Sequence, residues 1–375
     1  MNQVPPESPE LIQSAEALAR LARHLSSQAR IAVDTESNSL HAYRERVCLL
    51  QFSTPHGDFV LDPFRFDELE SLAAVFAQPD IEKIFHAAEY DMLCLRRDYA
   101  FSFARIFDTM QAGRILGRKQ AGLDRLIDEK LGITLTKRFQ KADWGQRPLS
   151  PELLQYAALD THYLIPLRDL LEDELREKQL WELAQEDFRI ACNGNLPKPR
   201  AESPAWARLS ARRDLTPRDL AVLRELWSWR ESEAARLDRP PFKVLDDERL
   251  IELARAKPAA AADLGTMRLS ARQLEHWGTA LLEAVARGLR SPLLPRVPPP
   301  TPSGAYLRRL EHLKKWRKAA AAGMDVESDV VLPRPFLLAL ADSGPTDVAA
   351  ILASSPWRLR HFGDQISEVL LKAAV

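Results

Sequence analysis

Five residues have the types and spacings that carboxylate chemistry requires. The apolar run Ile31-Ala32-Val33 ends in Asp34-Thr35-Glu36. Side chains alternate faces along a strand, so Asp34 and Glu36 point the same way, near enough to share a cation. The stretch Phe85-His86-Ala87-Ala88-Glu89-Tyr90-Asp91 runs from a strand end into a helix start and delivers a third acid, Asp91. Tyr156 and Asp160 stand four residues apart in a helical stretch and so share one face. Asp160 sits among Leu153, Leu154, Ala157, Leu159 and Leu164. A buried acid needs a partner, and a divalent cation is one of the few adequate partners. Each segment also has an ordinary reading. Acidic residues close many strands because they favour turns, and Asp160 could pair with Arg147 while Tyr156 serves as a core aromatic.

The elements that must position these residues follow from periodicity and turn chemistry. A helix is expected over 8–25, where Leu11, Ala15, Leu18 and Ala22 recur at three- and four-residue steps. Strands are expected over 30–36, 46–53 and 59–62, the last two joined as a hairpin by Thr54-Pro55-His56-Gly57-Asp58. A helix over 67–77, a strand over 83–86, a helix over 89–97 and a strand over 106–107 come next. One long helix is expected over 151–178, started by Ser150 as cap and Pro151 as first residue. Three strands in succession, then alternating helix and strand, predict a mixed sheet flanked by helices, an α/β layer fold.

At 375 residues the chain is long enough for two or three domains. With 46% hydrophobic and 28% charged residues it reads as ordinary soluble protein. No apolar stretch approaches the roughly 20 residues that span a bilayer, so no membrane partner is expected, and the N-terminus lacks the pattern of a secretory signal. Three scattered cysteines without Cys-x-x-Cys spacing fit a reducing cytoplasm. The net charge of −1 is unevenly spread: residues 1–195 carry −8, residues 196–295 carry +4 and residues 296–375 carry +3. An acidic front with two mildly basic modules behind suggests carboxylate chemistry assisted by polyanion binding. Proline-rich stretches at 193–199 and 291–302 read as stiff connectors. They divide the chain into domains 1–195, 196–295 and 296–375.

Together the three acidic segments resemble the DEDD exonuclease superfamily, which has a ribonuclease H-like fold. Asp34-x-Glu36 matches its first motif, His86-Ala87-Ala88-x-x-Asp91 its second, and Tyr156-x-x-x-Asp160 its third in the tyrosine form. The likeness extends through Phe107-Asp108-Thr109 and Asp143-Trp144-x-x-Arg147-Pro148-Leu149. Residues 196–375 resemble two all-α HRDC helical bundles. The first shows Trp229-Arg230 with Lys243-Val244-Leu245-Asp246-Asp247, and the second Trp316-Arg317 with Val330-Val331-Leu332-Pro333. The second lacks the Pro-Phe-Lys-Val run and its trailing acids. One nuclease domain followed by two such modules resembles the bacterial ribonuclease D family.

The resemblance implies a 3′→5′ exoribonuclease that uses two divalent ions, Mg²⁺ or Mn²⁺, about 4 Å apart, and releases 5′-mononucleotides. It implies that Asp34, Glu36 and Asp160 hold one ion, that Asp34 bridges to the second, and that Asp91 helps through bound water. Tyr156 then orients the attacking water; with an ordinary pKa near 10 it is a poor general base. Thr35, Leu40 and His86 are the expected substrate contacts, Leu40 as an apolar wedge against the terminal base or else an ordinary buried leucine. Arg308, Lys314, Lys315 and Lys318 form a basic face that could track phosphates. The expected partner is RNA with a single-stranded 3′ end, such as a transfer-RNA precursor; no protein partner is evident and a monomer is expected. A deoxyribonuclease could use the same acids, and a non-catalytic scaffold could keep the fold. Nucleotidyl transfer, glycoside hydrolysis and acyl transfer find no supporting motif: the sequence has no Gly-Lys-Ser/Thr, no Gly-x-Ser-x-Gly and no His-Glu-x-x-His.

Overall fold

In the computed structural model, which describes residues 8–193, 205–210, 214–295 and 302–373, a short strand precedes the first helix. The helix expected from residue 8 is instead β1 (Glu10–Ile12), paired parallel to β4 (Gly57–Leu61), and then α1 (Ala15–Ser26). Ser14 caps α1 by accepting from the Ala17 N–H at 3.2 Å, so the helical pattern begins after it. Three further strands, β2 (Arg30–Ser37), β3 (Val47–Thr54) and β5 (Glu82–Phe85), stand at the middle, and β6 (Ile106–Asp108) closes the far edge. The order across the mixed sheet is β1-β4-β3-β2-β5-β6. The β3–β4 hairpin turns at Pro55-His56 with Thr54 opposite Gly57. Every residue of β3 is buried, which its unbroken run Val47-Cys48-Leu49-Leu50-Gln51-Phe52 anticipates apart from the glutamine.

Helices α2 (Glu70–Ala77), α3 (Ala88–Tyr99), α4 (Thr109–Ile115), α5 (Leu123–Leu131), α6 (Pro151–His162), α7 (Leu164–Glu177) and α8 (Trp181–Asn193) complete this part. The single helix expected over 151–178 is broken at Tyr163. Pro166 explains the break: it has no N–H to donate, and its ring would collide with the carbonyl of His162 in a continuous helix.

The described residues form two compact units. One takes in those of 1–38, 46–198 and 302–375; the other takes in those of 39–45 and 199–301. The second is helical: α9 (Ala205–Ser210), α10 (Pro217–Arg236), α11 (Pro241–Val244), α12 (Asp247–Ala256), α13 (Ala261–Gly265) and α14 (Ala271–Arg290). Gly288 lets α14 approach α10, since a Cβ there would stand 2.4 Å from the Val222 Cα. Buried Arg230 reaches the Leu245 carbonyl (3.1 Å) and Asp247 (2.7 Å).

The last segment forms α15 (Gly304–Met324), α16 (Ser328–Val331), α17 (Arg334–Ser343), α18 (Val348–Ile351) and α19 (Pro356–Lys372). Arg317 meets the Leu332 carbonyl at 3.0 Å, repeating the Arg230–Leu245 contact at the same spacing of fifteen residues. Set apart in sequence by its prolines, this segment nevertheless shares one apolar core with the sheet, to which it adds Leu313, Val331, Phe336 and Ile366. Fully buried Arg358 on α19 pairs with Glu186 (2.9 Å) and Asp187 (2.6 Å) on α8. Gly117, with φ of 87°, meets the Asp325 carbonyl so closely that a Cβ would lie 2.5 Å from its oxygen. Of the connectors expected at 193–199 and 291–302, residues 194–199 and 296–301 lie outside the described residues. Among the described residues no helix is long and apolar enough to cross a membrane.

Candidate active site

The C-terminal half of β2 presents Asp34 and Glu36 on one face, opposite Gln51 and Leu49 of β3, just before the register shifts between Glu36 and Ser37. Helix α6 lies over β2, β3 and β4 on that face. Its start is fixed by Ser150, whose hydroxyl accepts from the Leu153 N–H at 3.3 Å, with Pro151 behind it. Its far end is tied to the sheet by the Ser53–Thr161 hydroxyl pair (2.6 Å) and by His162 Nδ1 on Asp58 (2.7 Å). Asp160, directly before those two anchors, is thereby held over β2. One carboxylate oxygen each from Asp34, Glu36 and Asp160 lies within 4.8 Å of the others.

Asp91 comes from the first turn of α3, and the device that sets it there is Asp108. This carboxylate at the end of β6 accepts from the N–H groups of Ala87 (3.0 Å) and Ala88 (2.9 Å) as well as Met110 (2.9 Å) and Gln111 (3.1 Å). One side chain thus caps two helices and pins the turn in which Ala87 adopts φ of 66°. Thr35, between the two strand acids, donates its hydroxyl to Asp91. The ring of His86 is held by the Thr109 hydroxyl at 2.9 Å, and that hydroxyl bonds the Phe85 carbonyl at 3.1 Å. Thr35 and His86, expected as substrate contacts, therefore both have protein partners that stiffen the frame around Asp91.

The charges are uncompensated. Among the described residues none of the four acids is salt-bridged to a cationic side chain. Burial, then the fields of Asp91, Asp160 and Glu36, push Asp34 well above the usual carboxylate range. Burial, then Asp160 and Asp91, do the same to Glu36. Asp91 and Asp160 are each raised to about 7, burial being the largest cause. Arg147 is not the counter-ion of Asp160: its guanidinium grips Asp62 through two bonds of 2.8 Å and the Cys48 carbonyl at 2.8 Å. An all-oxygen set with no internal cation has the donor chemistry of a divalent-ion site, so the residues present fit such an ion.

Tyr156 is buried, stacked on Trp144 (6.2 Å between centroids) and met edge-on by Phe139 (5.6 Å). Burial and the neighbouring Asp160, Glu36 and Asp34 raise its phenol well above its ordinary value, so it keeps its proton. Leu40 is 43% exposed in the 39–45 stretch, which belongs to the second unit; it is not a buried core leucine. Arg308, Lys314, Lys315 and Lys318 are exposed on α15, Lys315 paired with Glu311 at 2.8 Å.

Sequence reasoning gave no role to Gln51 and left Asp108 as part of a likeness. A carboxamide inside the apolar run of residues 47–52 was the signal for the first. For the second it was an Asp directly after a strand and before a helix.

The family described as 3'-5' exonuclease matches residues 9–176, and the HRDC domain matches residues 219–285 and 307–370. Ribonuclease D of Gluconacetobacter diazotrophicus is 30% identical over 367 residues, 95% of this chain and 91% of that protein. The exosome complex component 10 homolog of Caenorhabditis elegans is 32% identical over 66% of this chain, but the chain spans only 29% of that relative's length. The crystal structure of Escherichia coli RNase D superposes with a TM-score of 0.72 at 23% identity, covering 97% of this chain and 99% of that one, a likeness of fold.

Proposed function

This chain belongs to the ribonuclease D family and is a 3′–5′ exoribonuclease, and we propose that its reaction runs in the cup of Asp34, Glu36, Asp91 and Asp160 with two divalent ions, Mg²⁺ or Mn²⁺. The observation that carries this reading is the convergence of three carboxylate oxygens within 4.8 Å, without a cationic side chain among the described residues to neutralise them. Asp34, Glu36 and Asp160 would hold one ion; Asp34 would also reach the second, with Asp91 assisting through water. Such ions supply the positive charge that acidifies an attacking water and neutralises the phosphorane and the leaving oxygen.

The chain's own residues do the rest. Water adds to the terminal phosphorus, the bond to the 3′ oxygen of the preceding nucleotide breaks, and that oxygen takes up a proton. A 5′-mononucleotide leaves, and the RNA is one residue shorter. Tyr156, which keeps its phenolic proton, orients the attacking water by a hydrogen bond and does not deprotonate it. Thr35 holds the Asp91 carboxylate in place, and Thr35 and His86 flank the terminal nucleotide. Leu40, an exposed apolar side chain, is the proposed wedge against the last base. Arg308, Lys314, Lys315 and Lys318 would follow the RNA backbone without reading bases. The proposed substrates are 3′ trailers of transfer-RNA precursors, processed in the cytoplasm by a monomer.

A 3′-tailed transfer RNA labelled at either end, with and without Mg²⁺, tests this reading. Mononucleotides released at once from the 3′ label, a descending ladder from the 5′ label, and no products without metal are expected. Internal fragments, or equal degradation of a matched DNA strand, would contradict it.

A further inference from the structure

Gln51 lies in β3, fully buried, and among the described residues neither its Nε2 nor its Oε1 has a hydrogen-bond partner. Buried carboxamides are rarely left in that state. The register puts Gln51 directly opposite Asp34 of β2, and directly opposed residues of an antiparallel pair share a face with Cβ atoms about 4.5–5.5 Å apart. Two independent features identify that face as the one under α6. Ser53, two residues on, bonds Thr161, the neighbour of Asp160. Val60, opposite Gln51 on the other side, belongs to the apolar cluster that holds Tyr156 and Ala157. The carboxamide therefore lies in the layer between sheet and α6, one cross-strand step from Asp34 and within a side chain's reach of it. The Asp34 carboxylate accepts from the backbone N–H of Thr35. An ionised carboxylate has about four acceptor positions, so it has capacity for a further donor.

We propose that Gln51 is a positioning residue of this centre: its amide N–H donates to the Asp34 carboxylate when that carboxylate holds a cation, and so fixes the orientation of that ligand. The inference rests on the reading that Asp34 binds a divalent ion. It accounts for a buried carboxamide without a partner in β3, where the buried hydroxyls of Ser53 and Thr54 are hydrogen-bonded, at the position opposite Asp34. Partners that orient metal ligands in this way typically change metal affinity by about 10–100-fold when removed.

The test is Mn²⁺ titration of the full chain without RNA, free Mn²⁺ being read by electron paramagnetic resonance, alongside thermal melting of the metal-free protein. Gln51→Leu and Gln51→Met are compared with wild type and with Asp34→Asn. Both Gln51 variants should melt, metal-free, at or above wild type, because an orphaned amide is replaced by apolar atoms of similar shape. Both should bind Mn²⁺ about ten-fold or more weakly, and kcat should fall while KM for RNA holds. Unchanged Mn²⁺ affinity in either folded variant overturns the inference, as does failure of both to fold, which would make the amide purely structural. Wild type binding Mn²⁺ no better than Asp34→Asn overturns instead the reading on which it rests.

Discussion

An ionised Asp34 facing Asp91, Asp160 and Glu36 is a high-energy arrangement until a cation neutralises it. Asp34→Asn should therefore abolish turnover, by about 10³-fold or more, while the metal-free protein melts at or above the wild-type temperature. Calorimetry beside an exonuclease assay checks both halves. Tyr156→Phe should be milder, about 10²-fold in kcat, because an orienting hydrogen bond is lost and no metal ligand is. The raised carboxyl groups also set a pH dependence. A carboxyl whose folded pKa lies above its unfolded value near 4 binds more protons when folded, so the metal-free fold loses stability as pH rises from about 4 through about 7. The melting temperature gained on adding Mg²⁺ should then be larger at about pH 8 than at about pH 6. An equal gain at both would mean that these acids are compensated from within.

At the scale of elements, the site depends on few fasteners. Asp108 accepts four backbone N–H groups from two helix starts, so Asp108→Ala should cost about 2 kcal/mol in a denaturant melt and loosen Asp91. The main elements were legible in sequence because β2 and β3 announce themselves by apolar runs and α6 by Ser150-Pro151. The acids were legible because the strand and helix periods put them on shared faces. β1 was not, since three residues that pair only at the edge of β4 carry no period of their own. The break at Tyr163 could have been read from Pro166, but the apolar pattern runs through it. Gln51 needed the register, which no single strand reveals. Arg147 was one of two partners that the sequence left open for Asp160, and tertiary packing gave it to Asp62 instead.

Across the whole molecule, composition and prolines suggested three separate modules, but the last shares its core with the nuclease sheet. That sharing rests on contacts distant in sequence, such as Arg358 with Glu186 and Asp187. Arg358→Met leaves Glu186 buried and unpaired and should cost about 3–5 kcal/mol in an unfolding titration. For the same reason, deleting the segment would unseat the nuclease, and its RNA contacts are better tested on the surface. Replacing Lys314, Lys315 and Lys318 by Ala should weaken RNA binding and reduce the slope of log affinity against log salt by about 2–3. An unchanged slope would remove this face from the RNA path. The central claim, that acids distant in sequence form one cup for a pair of cations, is tested most directly by anomalous diffraction from crystals soaked in Mn²⁺. Two peaks among the carboxylates of Asp34, Glu36, Asp91 and Asp160 are predicted; an anomalous map without manganese between Asp34 and Asp160 would contradict the account.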